Sequence, residues 1–560
     1  MVLSIEEVSK HNNRKDCWVI VHDKAYDLTE FMPEHPGGEA IILKYGGKDA
    51  TKVFDPVHPP DTLTKYLKPE FHKGEVEKRK IQPKKKQQTK TTVVKQEESS
   101  TSTNGRKIVD EFDVEYDEQD DMDPIPTEGQ IQVSTTVESQ EEEDEELLYD
   151  ENGDPNPPEE IQRLKNVRNK PDLGQIYNLN DFEYVARNTM EKTAWGYYSS
   201  GCEDEITMRE NHDAYHRIFF EPRVMVDVTN IDFSTTMLGT TTSVPFYITA
   251  TALGRLGHPD GEKVLTRAGA KEDVIQMIPT LASCSFDEIV DQATDKQTQW
   301  FQLYVNADKE ISKKLVQHAE KRGCKGLFIT VDAPQLGRRE KDMRSKDIED
   351  VSNVQGDEES DRSQGAARAI SSFIDTSLNW KDIEFFRSIT KMPILLKGIQ
   401  CVKDAILAAE YGLDGIVISN HGGRQLEYAK APIEILMETM PVLRKKGLDK
   451  NFEVYIDGGV RRATDILKAI CLGAKGVGIG RPFLYAMSTY GDEGVRKAIQ
   501  ILKDEMTMNM RLLGVTSLDQ LNEEYLDINA FSSRFVPEDK LFRKVYQPLT
   551  NPPFKNNSKL

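Results

Sequence analysis

Eight short apolar and β-branched runs recur along the chain, at 245–249, 274–278, 299–305, 326–331, 393–397, 415–419, 453–457 and 475–480. Most are separated by about 20–40 residues of helical-looking sequence, room for a crossover helix and two loops. Eight strand–helix units in one region predict an α/β fold, a (β/α)8 TIM barrel. The alternative is an open doubly wound sheet, but no GxGxxG strand–turn–helix fingerprint supports it. One gap is too long for a simple crossover. About 60 residues separate the fourth and fifth runs, including the charged, Ser-rich stretch 340–364. An insertion that follows a strand end sits on the active-site face, as a mobile lid or a docking loop.

Upstream the pattern changes twice. Residues 1–75 read as a compact block with few breaks, a small α+β domain. Residues 76–170 do not. There 78–95 is basic and Gln-rich, 99–104 is Ser/Thr-rich, 110–151 is acidic and 154–158 is Pro-rich. Opposite charge blocks with few large apolar residues cannot offset ordering entropy, so this segment is expected to be a disordered linker. The large domain then runs over 171–545, with a tail at 546–560.

Composition adds three exclusions. The 560 residues carry a net charge of −21, yet 110–151 alone holds 19 acidic residues and no Lys or Arg, leaving about −2 for the rest. A nearly neutral folded part offers no basic face for nucleic acid. The six cysteines are scattered without a CxxC or CxxCH, which argues against a zinc site or covalent c-type haem. No 18-residue apolar run occurs, so no membrane span is expected. The N-terminus lacks the pattern of a secretory or mitochondrial leader. The chain finishes Ser558-Lys559-Leu560, the peroxisomal address, which predicts a peroxisomal location.

The chemistry-bearing residues fall at or just after the ends of the predicted strands: Gln302, Tyr304, Thr330, Asp332, Lys397, Ser419, His421, Asp457 and Gly480-Arg481. That is where barrels build active sites. Each alone reads as a cap or rim residue; convergence from several strands is what tells. In Ser419-Asn420-His421-Gly422-Gly423-Arg424 a proton acceptor lies three residues from a guanidinium. The pair suits a 2-hydroxy acid, His421 taking the hydroxyl proton and Arg424 clamping the carboxylate. Strands seven and eight end in Asp457-Gly458-Gly459-Val460-Arg461 and Gly480-Arg481, glycines and arginines at the usual phosphate site of a barrel. With the carboxylate clamp elsewhere, a phosphorylated cofactor fits better than a phosphorylated substrate, and FMN suits it. Lys397 would face the negative charge of the reduced ring, with Gln302 and Thr330 at its edge.

In the first block, His35-Pro36-Gly37-Gly38 and His58 place two histidines 23 residues apart, a spacing that suits bis-imidazole ligation of non-covalent haem b. Either histidine alone would ordinarily be a surface or core residue.

The large region resembles the FMN-dependent 2-hydroxy-acid dehydrogenase/oxidase family over about 370 residues. The resemblance is carried by Ala194-Trp195-Gly196-Tyr197-Tyr198-Ser199-Ser200-Gly201, Thr249-Ala250-Thr251-Ala252, Gln302-Leu303-Tyr304, Thr330-Val331-Asp332-Ala333-Pro334, Lys397-Gly398, the His421 hexapeptide, and the motifs at 457–461 and 480–483. It implies that His421 is the base and Asp332 its charge partner. It implies that Tyr304 contacts the substrate hydroxyl, and that Arg424, Tyr197 and a secondary Arg339 bind the carboxylate. Thr249, Ala250 and Thr251 would join the FMN site, and Ala252 and Leu281 would stand near the substrate methyl, favouring a small acid. Residues 1–75 resemble a cytochrome b5-type haem domain, adding Cys17-Trp18-Val19-Ile20, Tyr26-Asp27-Leu28 and Gly47-Lys48-Asp49-Ala50-Thr51 to the two histidines.

The order haem domain, linker, barrel is similar to the flavocytochrome b2 family of L-lactate dehydrogenases. That resemblance implies oxidation of L-lactate or a similar acid, with electrons passing through haem to cytochrome c, and a homotetramer. It also gives the mitochondrial intermembrane space, or the cytoplasm, as alternatives to the peroxisome. The chain departs from the pattern at Pro279, where Ser or Thr is usual beside the flavin, in its long charged linker, and in its SKL end. Two rival readings follow: a peroxisomal oxidase that reduces oxygen to peroxide, and a non-catalytic haem/flavin redox sensor.

Overall fold

A computed structural model describes residues 2–32, 35, 39–55, 58, 62–63, 67–77, 146–149, 155–345 and 374–532. Of the linker expected at 76–170, residues 78–145 lie outside the described residues, as do most of the 340–364 stretch and the SKL end. The linker's C-terminal part is not irregular but carries helix Pro158–Arg168, started by proline with Glu159 and Glu160 in its first turn. The chain divides into two units, 1–77 with 157–560, and 78–156. In the second, the described residues include a 3-10 turn, Glu146–Leu148, and an antiparallel bridge between Tyr149 and Pro155.

The eight runs form eight strands: β1 Phe246–Ile248, β2 Gln276–Pro279, β3 Gln299–Leu303, β4 Leu327–Thr330, β5 Ile394–Ile399, β6 Gly415–Ile418, β7 Glu453–Asp457 and β8 Gly476–Ile479. Each pairs in parallel with the next, and β8 pairs back onto β1, closing the barrel and excluding the open sheet. Nearly every strand residue is buried because the strands are covered on both faces. Alternation then separates two cores. Tyr247, Met277, Trp300, Phe328, Leu395, Val417 and Tyr455, one from each of β1 to β7, fill the barrel interior. Strand β8 contributes glycines instead. A Cβ at Gly478 would lie 2.9 Å from the Tyr247 ring and one at Gly476 would lie 3.2 Å from Tyr455, so the small residues make room for two tyrosines. Met237 closes the bottom of this plug. It belongs to the hairpin Thr235–Met237/Thr240–Thr242, which turns through Leu238 and Gly239 at φ +46° and +74°. The other face of each strand packs on the surrounding helices.

The helices begin and end where local chemistry says they should. Ser285 and Asn178 build capping boxes with Glu288 and Asp181. Helix Pro432–Lys446 starts on proline and stops on Gly447 at φ +68°. Among the described residues no helix is long and apolar enough to cross a membrane. All six cysteines are free, five of them buried and Cys401 exposed.

The N-terminal region has a five-stranded sheet in the order Val2–Leu3, His72–Val76, Lys24–Asp27, Asp16–Val21, Asn12–Asn13. One apolar cluster, with Val19, Val21, Leu28, Met32 and Ile42, packs beneath it. Short helices at Glu39–Lys44 and Thr51–Phe54 bracket the space that holds His35 and His58.

Candidate active site

The plug at the base leaves an open cleft at the C-terminal ends of the strands, about 1100 Å³ counted out to open solvent. Register brings the polar strand ends level: Thr330 sits beside Lys397, and Gln302 beside Pro279. The cleft is lined by Tyr197, Thr249, Ala250, Thr251, Ala252, Leu281, Gln302, Tyr304, Thr330, Arg339, Lys397, His421, Arg424, Asp457, Gly458, Gly459, Arg461, Gly480 and Arg481. Two expected site residues stand behind it. Asp332 supports His421, and Ser419 is fully buried beneath Lys397 and Asp457.

At the centre of the rim, His421 is held at φ +58°, a conformation a non-glycine residue keeps only when its surroundings impose it. Its Nδ1 is 3.0 Å from Asp332 Oδ1 and its Nε2 is 3.1 Å from the Tyr304 hydroxyl. With Nδ1–H donated to the carboxylate, Nε2 keeps a lone pair toward the cleft. Burial holds the His421 pKa below its ordinary value, against the opposite pull of Asp332. The imidazole is therefore neutral at neutral pH, the form a base requires. Burial raises the Tyr304 hydroxyl pKa, with Asp332 adding to it, so the phenol stays protonated as a donor.

Beside the base lie two guanidiniums. Arg424 Nη1 donates to the main-chain carbonyls of Tyr197 and Ser200, at 2.6 and 3.1 Å, and its guanidinium lies 4.9 Å over the Tyr197 ring. These contacts aim the side chain. Arg339 is buried, and burial together with Arg424 pushes its pKa down to about 10. Among the described residues neither arginine has a carboxylate partner within ion-pair distance. A buried and a half-buried cation without a carboxylate beside them suit an anion.

Further round the rim, Lys397 Nζ is 2.8 Å from Asp457 Oδ2. Burial favours the neutral amine and Asp457 the ammonium; the balance leaves the Lys397 pKa above its ordinary value. Gln302 Nε2 donates to Thr330 Oγ1 at 2.8 Å, fixing the amide across β3 and β4. Pro279 lines the cleft with no hydroxyl to offer. Its neighbour Thr280 is tied into β3, donating to the Gln302 carbonyl and accepting from the Tyr304 N–H.

The far end is lined by glycines and arginines. Gly458 and Gly459 are at φ +101° and +84°, and a Cβ at Gly459 would fall 1.9 Å from the Asn211 carbonyl oxygen. The N-terminus of helix Arg481–Leu513, which is broken by a kink at Gly491, opens there, at Gly480. Arg461 is 3.5 Å from Glu183. Arg481 holds the carbonyls of Tyr198, Ser200 and Gly422, each at 2.9 Å, and burial pushes its pKa down to about 10. It is thus a clamp on the rim as well as a cation at the cleft. An anion among Gly458, Gly459, Arg461 and Arg481, and a ring against Lys397, fit the shape and charge of FMN.

Several contributors have no role assigned to them by the sequence. Tyr198 donates to the Leu253 carbonyl at 2.7 Å. Asn211 exchanges amide hydrogen bonds with Asn420, both at 2.7 Å, and His212 Nδ1 is 2.8 Å from the Gly459 carbonyl. Helix Ile206–Asp213 thereby braces the base loop and the phosphate cradle from outside the barrel sequence.

In the N-terminal domain the imidazoles of His35 and His58 face each other with ring centroids 6.0 Å apart. Two imidazoles around one metal ion, at about 2 Å per metal–nitrogen bond, need about that separation. Phe54 stacks on His58 at 4.2 Å, and His58 Nδ1 donates to the Phe54 carbonyl at 3.1 Å, leaving Nε2 for a metal. Burial lowers the His58 pKa, which keeps the ring neutral and able to ligate.

Comparison with known proteins gives each of the two regions a family. Residues 186–528 match the model of the FMN-dependent dehydrogenases, and residues 4–77 match that of the cytochrome b5-like heme/steroid binding domain. The chain belongs to the FMN-dependent dehydrogenase family. Its cofactors are FMN and haem. An L-lactate dehydrogenase (cytochrome) of Wickerhamomyces anomalus is 51% identical, covering 99% of this chain and 85% of that protein. One from Saccharomyces cerevisiae is 46% identical, with the same coverage of both. Among solved structures, a flavocytochrome b2 variant with pyruvate bound is 53% identical, with TM-score 0.63, covering 72% of this chain and all of that one.

Proposed function

We infer that the protein oxidises L-lactate, or a closely similar small L-2-hydroxy acid, to the 2-keto acid and passes the electrons to a cytochrome. The observation that carries this reading is a neutral, carboxylate-backed imidazole beside two guanidiniums, one buried and one half-buried, in one cleft. The two relatives that match nearly the whole chain are both L-lactate dehydrogenases (cytochrome), which supports the substrate and the acceptor.

The residues divide the work. Arg424, Tyr197 and Arg339 bind the substrate carboxylate and place its hydroxyl between Tyr304 and His421. Nε2 of His421 accepts the hydroxyl proton. Asp332 stabilises the imidazolium that results, as a buried carboxylate at hydrogen-bond distance should. When bound, FMN supplies the two-electron acceptor and haem b the one-electron carrier toward the cytochrome. Ala252 and Leu281 wall the substrate's alkyl end. Gln302, Thr330, Lys397 and the 249–251 segment would hold the FMN ring, and the 458–461 and 480–481 segments its phosphate. His35 and His58 would ligate the haem iron.

Anaerobic mixing with a panel of 2-hydroxy acids tests this directly. L-Lactate should bleach the flavin and then reduce the haem; no bleaching by any acid of the panel would overturn the reading in favour of the sensor. The oxidase reading has support from a peroxisomal (S)-2-hydroxyacid oxidase of Arabidopsis thaliana, 40% identical over 63% of this chain. Cytochrome c reduction in excess of peroxide production separates the two. The relatives that match nearly the whole chain favour the cytochrome over oxygen; the location that goes with this reading is the mitochondrial intermembrane space, in place of the peroxisome. A homotetramer completes the proposal. Val224, Met225 and Leu512 are strongly exposed where the Arg223 N–H meets the Leu513 carbonyl, an apolar face available to a second copy.

A further inference from the structure

The two residues placed at the substrate's alkyl end stand on different loops, and a single buried acid joins those loops. Ala252 belongs to the loop after β1, Leu281 to the loop after β2. Glu262, in the first turn of helix Glu262–Glu272, is completely buried. Its Oε1 accepts from the Gly254 N–H at 2.8 Å and the Ser283 N–H at 2.9 Å. Its Oε2 accepts from the Ser283 hydroxyl at 2.8 Å and the Cys284 N–H at 3.2 Å. Ser283 Oγ in turn accepts from the Arg255 N–H at 2.8 Å. One carboxylate thus satisfies donors on both loops, two residues from Ala252 on one side and two from Leu281 on the other.

The loops it joins need such support. Leu253 is held at φ +59°, costly for a branched side chain. Its N–H reaches the Leu281 carbonyl at 3.4 Å, and its own carbonyl accepts from Tyr198 at 2.7 Å. Gly254 is packed so closely that a Cβ there would lie 2.7 Å from the Glu262 nitrogen. No cation within ion-pair distance neutralises Glu262 among the described residues, so its tie is to main-chain and hydroxyl donors that a shift of either loop would leave unmet.

We propose that Glu262 is a positioning residue for substrate selectivity, which fixes the gap between Ala252 and Leu281 and so sets how large a 2-hydroxy acid the cleft accepts. This rests on the 2-hydroxy-acid reading above. Glu262 touches neither the cleft nor His421, Arg424 or Lys397, so the chemistry itself does not pass through it.

The experiment compares L-lactate with L-2-hydroxyoctanoate in the FMN- and haem-loaded full chain. Glu262→Gln replaces one acceptor oxygen by a donor and should loosen the gap. Its preference for lactate in kcat/KM should fall about tenfold, within the range a pocket wall commands. KM for lactate should rise while kcat at saturation and the FMN content are kept. Ser283→Ala removes one hydroxyl from the same network and should move the preference the same way by less. Equal falls for both acids, with the preference unchanged, would overturn the proposal. Should Glu262→Gln fail to fold, Ser283→Ala decides alone, and an unchanged preference there overturns it. A wild-type enzyme that oxidises neither acid would instead strike down the underlying functional reading.

Discussion

His421 Nδ1 lies 3.0 Å from Asp332 Oδ1, and the Asp332 side chain has no exposed surface. The two residues are 89 positions apart and come from the loops after β6 and β4. An Asp so placed has two consequences for the imidazole: it fixes the tautomer, and it stabilises the charged form once a proton arrives. Replacing it by Asn keeps the shape and removes the charge. Asp332→Asn should lower kcat by about 10²–10⁴-fold, the span a positioned acid–base pair commands. FMN content should stay stoichiometric, because Asp332 does not line the cleft. Flavin absorbance and steady-state rates on one preparation check both halves.

The pH profile follows from the same pair. Burial holds the His421 pKa below its ordinary 6.5. The base works only when unprotonated, so kcat/KM should rise with pH through an acid limb centred below 6.5 and level off above it. Asp332 opposes the effect of burial, favouring the imidazolium. In Asp332→Asn the limb should therefore move to still lower pH, even as the plateau falls. An acid limb that stayed in place, or moved upward, would show that another group controls it.

The phosphate cradle offers a test on the flavin alone. Gly459 is at φ +84°, and a Cβ would overlap the Asn211 carbonyl oxygen at 1.9 Å. Gly459→Ala must shift the loop, helix Ile206–Asp213, or both, at a cost of about 1–3 kcal/mol from the backbone alone. The expected result is loss of bound FMN on gel filtration with haem content unchanged. Full retention of FMN would place the phosphate elsewhere.

What could be read from the sequence, and what could not, divides by distance along the chain. Strand β4 is a buried run in the sequence and a buried strand in the fold, because a strand covered on both faces has no polar alternation to disguise it. Predicted strand ends fall within a few residues of the observed ones; the ends depend on the ladder partner, as where Pro279 joins β2 beside Gln302. His421, Lys397 and Asp457 stood out because strand ends point at the cleft. Asn211 and His212 did not, and Tyr198 stood in a motif without a role, since their partners are 209, 247 and 55 residues away. Glu262 was the least visible. An acid in a first helical turn ordinarily reads as a solvated partner of the helix dipole, and only the fold shows it buried with four donors around it.

The haem domain can be tested apart from the barrel. His35 and His58 are the two imidazoles that face each other at 6.0 Å, and His58 is further ordered by Phe54, through stacking and a carbonyl bond. Removing one imidazole leaves the iron with a single protein ligand. His35→Ala should abolish the haem absorbance of the full chain. Reduction of the flavin by L-lactate needs only the cleft, so it should proceed at the wild-type rate, while cytochrome c reduction falls sharply. The comparison is informative because the two cofactors are read at separate wavelengths in one sample. If flavin reduction were lost along with the haem, the cleft would depend on the N-terminal domain for its own integrity, and the division of labour between the two sites would have to be abandoned.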